Sequence, residues 1–257
     1  MLLTLDIGNT NITLGLFDGD KYINEFRLAS DRDLEQTDYE NLLKNILKDY
    51  NIGGCVIGSV VTELDEKIKN AVNNVFNIEP FIVSNKTNCG VKIIADEPDE
   101  VGADRIANAS AVAKMYDGAV IVVDFGTATT FDIVNSKKEF CAGIIIPGLK
   151  TQLKSLYDKT SKLPHIEIDY SPCALAQNTK DAILAGVIRG SACAVDGLIE
   201  QCKNELGEDA TLVATGGYSS LIANYMKYKF NYISPILTLE GLKHIYELNN
   251  TPMPSSY

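Results

Sequence analysis

The sequence predicts an α/β fold made of two duplicated domains, each with a mixed sheet that begins with three antiparallel strands and carries flanking helices. Two segments support this prediction: residues 2–17, LLTLDIGNTNITLGLF, and residues 120–134, VIVVDFGTATTFDIV. Each contains a strand, an Asp-x-Gly turn and a returning strand, and a third strand follows each of them. Asp6 and Asp124 are 118 positions apart, which is about the length of a domain. The repeated pattern therefore indicates a duplication.

In the first half, strands and helices alternate after the opening hairpin. Residues 21–29 alternate in polarity and predict the third strand. Residues 37–50 carry apolar side chains at helical spacing, and a second helix is expected from Thr62 to about Phe76, with acidic residues in its first turn. The apolar run at 54–61 is typical of a buried parallel strand, and a further strand is expected at 80–83.

The second half repeats this order from Gly118 onward. The predicted elements are strands at 119–123, 130–134, 140–146 and 211–214, a short amphipathic helix from Leu149 to Tyr157, a long helix capped by Asn178 and ending near Leu206, and a last helix at 239–248. We therefore predict that the two domains comprise residues 1–116 and 117–257.

The composition argues against several kinds of partner. The net charge of −11 is unfavourable for binding nucleic acid or an anionic membrane, since both require basic patches. Two histidines and six scattered cysteines make a zinc site unexpected and are typical of a reducing compartment. The N-terminus lacks a basic signal-peptide region, and no apolar segment reaches the ~20 residues that span a bilayer. We therefore expect a soluble, cytoplasmic protein.

The turn after the first strand has residues suited to a phosphorylated ligand. Asp6 ends a buried strand, where a carboxylate is costly unless it faces a metal, water or a ligand. Gly8 permits a close backbone approach, and Asn9, Thr10 and Asn11 supply polar groups. This turn would suit a polyanion beside Mg²⁺. A plain hairpin with a turn aspartate explains the same residues.

A second candidate segment lies at residues 102–105, Gly-Ala-Asp-Arg, immediately before an alanine-rich helix. The free backbone N–H groups at the start of this helix favour an anionic ligand. The alternative is structural, because an aspartate in a first helical turn usually caps the helix or interacts with its dipole. An adjacent Arg105 that pairs with Asp104 would favour that alternative.

Two glycine patterns occur in the second half. Gly186 and Gly190 are four residues apart on one face of the long helix, which is typical of close helix packing, and a subunit contact is one candidate. Residues 215–217, Thr-Gly-Gly, follow a buried strand and leave room for a planar or phosphorylated ligand. Neither pattern is specific by itself.

Taken in order, the Asp6, Asp124 and Thr215 turns resemble the phosphate-one, phosphate-two and adenosine motifs of the actin-like (ribonuclease H-like) ATPases. Within that superfamily, the chain most closely resembles the type III pantothenate kinases over essentially its whole length. The matching motifs are DIGNTNITLG, EVGADRIAN, VVDFGTATTFD, GIIIPGL and TGGYS. The combination of GADR with DFGTATTFD is specific to this family. The resemblance implies a nucleotide cleft between the two domains.

The resemblance also implies ATP-dependent phosphorylation of pantothenate to 4′-phosphopantothenate, the first step of coenzyme A synthesis, in a cytoplasmic homodimer. The residues that it assigns to ATP with Mg²⁺ are Asp6, Ile7, Gly8, Asn9, Thr10, Asn11, Ile12, Thr13 and, from the second domain, Thr127. Those that it assigns to pantothenate are Gly102, Ala103, Asp104, Arg105 and Thr179. Asp104 would accept the proton of the substrate hydroxyl, and Asp124 would bind K⁺ or NH₄⁺.

Some details remain open at the level of sequence. Many relatives have an aromatic residue shortly before the GADR motif, whereas this chain has Ala95, so the wall of the pantothenate pocket is undefined. Arg105 would stabilise either the developing negative charge or the carboxylate of the substrate. Two other functions are considered: a regulatory protein that has lost catalysis, and an actin-like kinase that acts on a sugar or a carboxylate.

Overall fold

The computed structural model describes residues 1–160 and 163–250. The described chain forms two compact units. Of the described residues, the first unit comprises Met1–Met115 together with residues 237–250, and the second comprises those between Tyr116 and Ile236.

Strands and helices alternate along most of the chain. The strands are β1 (Leu2–Ile7), β2 (Asn11–Asp18), β3 (Lys21–Ala29), β4 (Gly54–Ser59), β5 (Phe81–Ile82), β6 (Lys92–Ile93), β7 (Ala119–Phe125), β8 (Ala128–Val134), β9 (Glu139–Pro147), β10 (Ala210–Thr215) and β11 (Tyr232–Ile233). The helices are α1 (Gln36–Ile46), α2 (Thr62–Phe76), α3 (Ala103–Met115), α4 (Leu149–Lys159), α5 (Thr179–Leu184), α6 (Gly190–Leu206), α7 (Ser219–Ala223) and α8 (Leu237–Asn250). A short 3₁₀ helix lies at Pro98–Glu100, and a π-helical segment, Ala185–Arg189, joins α5 to α6.

The sheet of the first unit has the order β3-β2-β1-β4-β5. The pairs β1–β2 and β2–β3 are antiparallel, whereas β1–β4 and β4–β5 are parallel. In the second unit, β9, β8 and β7 form the equivalent antiparallel start, and β10 and β11 follow β7 in parallel. The order β9-β8-β7-β10-β11 therefore repeats that of the first unit. The predicted duplication of a mixed sheet with three antiparallel strands at its start is confirmed.

Alternate residues of β1 and β4 serve two different cores in the first unit. Leu3, Leu5 and Ile7 are buried against α1 and α2. Val56, on the opposite face of the sheet, packs with Ala107 of α3 and with apolar residues of α8. This arrangement follows from the two-residue period of a strand.

The C-terminal helix α8 belongs to the first unit, although it comes last in the sequence. Leu242 and Ile245 are fully buried beside α3 and β4. Lys243 is also buried and pairs with Asp20, after β2, and with Glu247. The predicted second domain, residues 117–257, therefore differs from the compact unit, because the chain returns to the first sheet to bury the apolar face of α8.

The long helix from Thr179 to Leu206 covers one face of the second sheet. Its apolar side chains join those of β7 and β8 in a core that includes Leu184, Ile188 and Val195. These 28 residues are long and apolar enough to cross a membrane by length and composition, which corrects the expectation that no such segment exists. Core helices of soluble proteins can pass the same test, and the buried side chains of this helix belong to the core of the second unit.

Candidate functional site

The first part of the candidate site is the carboxyl end of β1. Asp6 is the penultimate residue of this strand and pairs with Thr13 of β2 and Gly58 of β4. Its neighbours Leu5 and Ile7 point into the α1–α2 core, so Asp6 lies on the opposite face of the sheet, which carries α3 and α8. The Asp6 side chain is partly exposed and thus accessible to a ligand.

The turn between β1 and β2 is closed by a hydrogen bond from the Gly8 N–H to the Asn11 carbonyl, at 3.0 Å. A Cβ on Gly8 would lie 3.2 Å from that carbonyl oxygen, so a larger residue would crowd the turn. The exposed side chains of the turn are those of Asn9, Thr10 and Asn11, whereas those of Ile7 and Ile12 are buried in the core. Ile7 and Ile12 therefore have only backbone groups to offer a ligand.

The start of α3 lies beside the carboxyl end of β4, on the same face of the sheet as Asp6. A Cβ on Gly58 would lie 3.5 Å from the Cβ of Ala103, and one on Gly102 would lie 3.0 Å from a methyl group of Val60. The two glycines allow this close approach of helix and strand. Because Gly58 is the lateral neighbour of Asp6 in the sheet, the fold brings Asp6 and Asp104 to the same edge of the first unit.

Asp104 is partly buried, and its environment changes its acidity. Burial raises the pKa of the Asp104 carboxyl above the ordinary 3.8, and the Arg105 N–H and guanidinium offset this rise only in part. The backbone N–H of Arg105 donates to Asp104 Oδ1 at 2.8 Å. The carboxylate is therefore held at the helix start as a stronger base than an exposed aspartate.

Helix α8 packs against α3 and also contacts β1 and β4. Gly241 lies so close to α3 that a Cβ there would overlap the backbone carbonyl of Ala107. The Thr238 hydroxyl donates to Oδ1 of the buried Asn108 at 2.9 Å. These contacts fix the helix that begins with the GADR motif.

In the second unit, Asp124 ends β7 beside Thr215 of β10. Gly216 follows with a φ of +84°, and a Cβ at this position would overlap the Asp124 carboxylate and the backbone of Phe125. Glycine is therefore required on both conformational and steric grounds. The Thr-Gly-Gly turn and Asp124 thus form one local structure at the carboxyl ends of two parallel strands, where ligands commonly bind.

Thr127 is exposed in the turn between β7 and β8. The Gly126 N–H donates to the Ala128 carbonyl at 3.0 Å and closes this turn. The Thr127 carbonyl accepts hydrogen bonds from the Gly148 N–H at 3.1 Å and the Thr151 hydroxyl at 2.7 Å. The start of α4 therefore positions Thr127.

Thr179, the remaining predicted substrate residue, is exposed at the first position of α5. The Asn178 side chain caps this helix by accepting from the Asp181 N–H at 2.9 Å. The predicted residues are thus divided between the units: 6–13 and 102–105 lie in the first, and Asp124, Thr127 and Thr179 in the second.

Comparison with known proteins places the chain in a family. A model of the type III pantothenate kinase family matches residues 2–201. The chain is 38% identical over 254 residues to the type III pantothenate kinase of an Exiguobacterium species (strain ATCC BAA-1283 / AT1b), with 97% of this chain and 99% of the relative covered. The chain belongs to the type III pantothenate kinase family.

Solved structures show the same fold. A Campylobacter jejuni protein described as a Baf family transcriptional activator matches with a TM-score of 0.60 and 25% identity, over 97% of this chain and all of that chain. A ROK family glucokinase from Streptomyces griseus, solved with glucose and AMPPNP, matches with a TM-score of 0.55 and 12% identity, over 96% and 98% of the two chains. The latter similarity shows the fold alone. The type III pantothenate kinase chain thus has the fold of the sugar kinases and actin-like ATPases, as the sequence predicted.

Residues that support the predicted site of this family member escaped the sequence reasoning. Ser30 contacts the Asp6 turn, Gly148 and Thr151 contact the Thr127 turn, and Gly58 lies under the start of α3. A lone glycine inside the apolar strand of residues 54–61 is a sign of close backbone approach and was the available signal for Gly58. Gly148 stood within the matched GIIIPGL motif, but its partner could not be deduced from the sequence.

Proposed function

We propose that this protein transfers the terminal phosphoryl group of ATP to the primary hydroxyl of pantothenate, forming 4′-phosphopantothenate and ADP as the first step of coenzyme A synthesis. The observation that carries the proposal is the position of Asp104 in the first turn of α3, at the same edge of the first unit as Asp6, in a chain that belongs to the type III pantothenate kinase family. A base at this position suits the activation of an alcohol.

The phosphates of ATP would be bound by residues 6–13 and by Thr127. The two turns offer backbone N–H groups and the side chains of Asn9, Thr10 and Asn11, which suit phosphate oxygens. Mg²⁺ would be held by Asp6 together with the phosphates, since this ion is usually bound by one or two carboxylates and substrate oxygens. When bound, Mg²⁺ supplies positive charge to the transferred group.

Asp104 would act as the general base. It accepts the proton of the pantothenate hydroxyl while that oxygen forms a bond to the terminal phosphorus. The bond between this phosphorus and the bridging oxygen breaks, and ADP leaves with the bonding electrons. Positioning and charge stabilisation account for most of the catalysis in such a transfer.

Pantothenate would be bound by Gly102, Ala103, Asp104 and Arg105, with Thr179 contributing from the second unit. The Arg105 side chain is partly buried beside Asp104, and its guanidinium would bind the substrate carboxylate or the transferred phosphoryl group. Comparing the affinities of Arg105→Ala for pantothenate and for its alcohol analogue pantothenol separates these two roles.

The assay for the proposed function is ADP release with and without pantothenate, in potassium buffer with Mg²⁺. Turnover that depends on pantothenate supports the proposal. Turnover with a sugar or a different carboxylate in a substrate panel would overturn the substrate assignment. Nucleotide binding without turnover on any substrate would instead support a regulatory protein, as in the description of the C. jejuni relative.

We further propose that Asp124 binds a monovalent cation, K⁺ or NH₄⁺. The carboxylate is partly exposed and packed against Gly216, where a Cβ would fill the space. Replacing K⁺ by Na⁺ is expected to lower turnover, because Na⁺ has the same charge but is smaller and more strongly hydrated. Asp124→Asn is expected to have a low turnover in both salts. Asp117→Asn, which changes an exposed side chain before β7, serves as the control. Equal rates of the wild type in K⁺ and Na⁺ would contradict this assignment.

We propose that the protein is a cytoplasmic homodimer in which the exposed face of the long helix lies at the subunit contact. This face carries small residues, and a Cβ on Gly186 or Gly190 would meet nothing within 4 Å. Gly186→Arg is expected to shift the molecular mass measured by light scattering from dimer to monomer. Asn45→Arg, which adds the same charge on exposed α1, is the control. If Gly186→Arg remains a dimer, this face of the long helix is not the subunit contact.

A further inference from the structure

The segment after β3 is attached to the Asp6 turn. The backbone N–H of Ser30 donates to the Thr10 carbonyl at 3.1 Å, and the Ser30 hydroxyl donates to the Gly8 carbonyl. Two carbonyl groups of the turn are thereby bound by one residue. The chain that follows Ser30 is thereby held beside the turn.

Arg32 extends from this segment to the same turn. Its guanidinium Nη2 donates to Asn9 Oδ1 at 3.1 Å, and its Nε lies 3.7 Å from Glu63 Oε1. The side chain is 45% exposed. A guanidinium has five N–H donors, so these two contacts leave donors for a ligand at the turn.

The backbone on both sides of Arg32 is held in place. Lys67 of α2 donates to the Arg32 carbonyl at 3.0 Å and to the Leu34 carbonyl at 2.8 Å. The hydroxyl of Tyr39, a fully buried side chain, donates to the Asp31 carbonyl at 2.7 Å. A segment ordered in advance loses little entropy when it binds a ligand.

The Asp6 turn carries no basic side chain of its own. Residues 6–13 include the acidic Asp6 and no lysine or arginine, yet they are expected to meet several phosphate oxygens. Arginine binds phosphate through two parallel N–H groups and is always protonated. We propose that Arg32 is a further phosphate-binding residue, which contacts the β-phosphate of the nucleotide beside Asn9. This inference rests on the proposed function, since it names an additional ligand for the same nucleotide.

The test compares Arg32→Ala with the wild type in calorimetric titrations with ATP, ADP and AMP in the presence of Mg²⁺. The dissociation constants for ATP and ADP are expected to rise about tenfold or more, and that for AMP to stay within about twofold. In the assay, the KM for ATP should rise while that for pantothenate is unchanged. Arg32→Lys should restore part of the affinity. Arg27→Ala, an exposed arginine of β3 paired with Glu25, is the matched control.

Several outcomes would overturn the inference. Unchanged ATP affinity in Arg32→Ala would show that the guanidinium does not meet phosphate. An equal loss for AMP and ATP would mean that Arg32 only shapes the turn. The same conclusion would follow if Asn9→Ala lowered the affinity for ATP as much as Arg32→Ala does, and if the double variant bound ATP no more weakly than either single variant.

The inference and the proposed function fail in different ways. If the wild type phosphorylates pantothenate while Arg32→Ala binds ATP normally, only the role of Arg32 is wrong. The opposite outcome is that Arg32→Ala lowers the affinity for ATP and ADP but not for AMP, while the wild type shows no turnover that depends on pantothenate. In that case the phosphate contact is supported and the substrate assignment is wrong.

Discussion

Asp104→Asn is expected to lower kcat by about 100- to 10,000-fold and to raise the melting temperature at neutral pH. Activity falls because the amide cannot accept the proton of the substrate hydroxyl. Stability rises because the folded state holds the ionised Asp104 at a cost, as its raised pKa indicates. An uncharged side chain of the same shape avoids this cost.

The pH dependence of the two effects follows from the same shift. Because the folded-state pKa lies above the ordinary 3.8, ionised Asp104 destabilises the fold fully above the raised pKa and not at all below about pH 3.8. The gain in melting temperature should therefore be largest at neutral pH and disappear toward pH 3.8. In the wild type, kcat/KM should fall as the pH is lowered through the raised pKa.

The matched control is Asp96→Asn, which changes an exposed side chain shortly before the GADR motif. Its activity and melting temperature should equal those of the wild type. Thermal unfolding at several pH values and steady-state assays measure both effects. An unchanged kcat in Asp104→Asn would reassign the base, with Asp6 as the next candidate. A lower melting temperature at neutral pH would contradict the cost of burying the charge.

Gly241→Ala is expected to destabilise the fold by about 1–3 kcal/mol and to reduce activity as well. A methyl group at this position overlaps the Ala107 carbonyl, so α8 must move away from α3. The movement displaces the helix that positions Asp104. Alanine is the better helix former by about 1 kcal/mol, but this gain is smaller than the cost of the overlap.

Gly197→Ala, at a partly exposed position of α6, is the control for Gly241→Ala because a Cβ there meets nothing within 4 Å. It is expected to increase stability by about 0.5–1 kcal/mol. Denaturant unfolding of both variants measures the difference. If Gly241→Ala were as stable as the wild type, close packing of α3 on α8 would not limit the position of the base.

The strand pattern could be predicted because its determinants are local. Asp-x-Gly turns and alternating apolar residues are neighbours in sequence, and the observed β1–β2 and β7–β8 hairpins follow them closely. The position of α8 could not be predicted in this way. Its apolar face, with Leu242 and Ile245, fits an amphipathic helix on either sheet, and only packing selects the first.

The candidate site likewise has parts that could be predicted from local sequence and parts that could not. The Asp6 turn and the GADR motif are continuous segments, so their residues were recognised together. Ser30 and Arg32 reach the Asp6 turn because β3 pairs with β2, and Thr151 reaches Thr127 because α4 begins where β9 ends. Residues that meet only through such pairing carry no joint signal in a single sequence.

The sequence by itself determined the family, the duplicated antiparallel three-strand start and the position of each glycine turn, because each of these depends on residues close together in the chain. The tertiary structure decided which face of the sheet Asp6 and Asp104 share, how burial raises the pKa of Asp104, and which helix supports α3. These properties depend on the approach of distant segments, which the close contacts of Gly58 and Gly241 set and local sequence patterns do not encode.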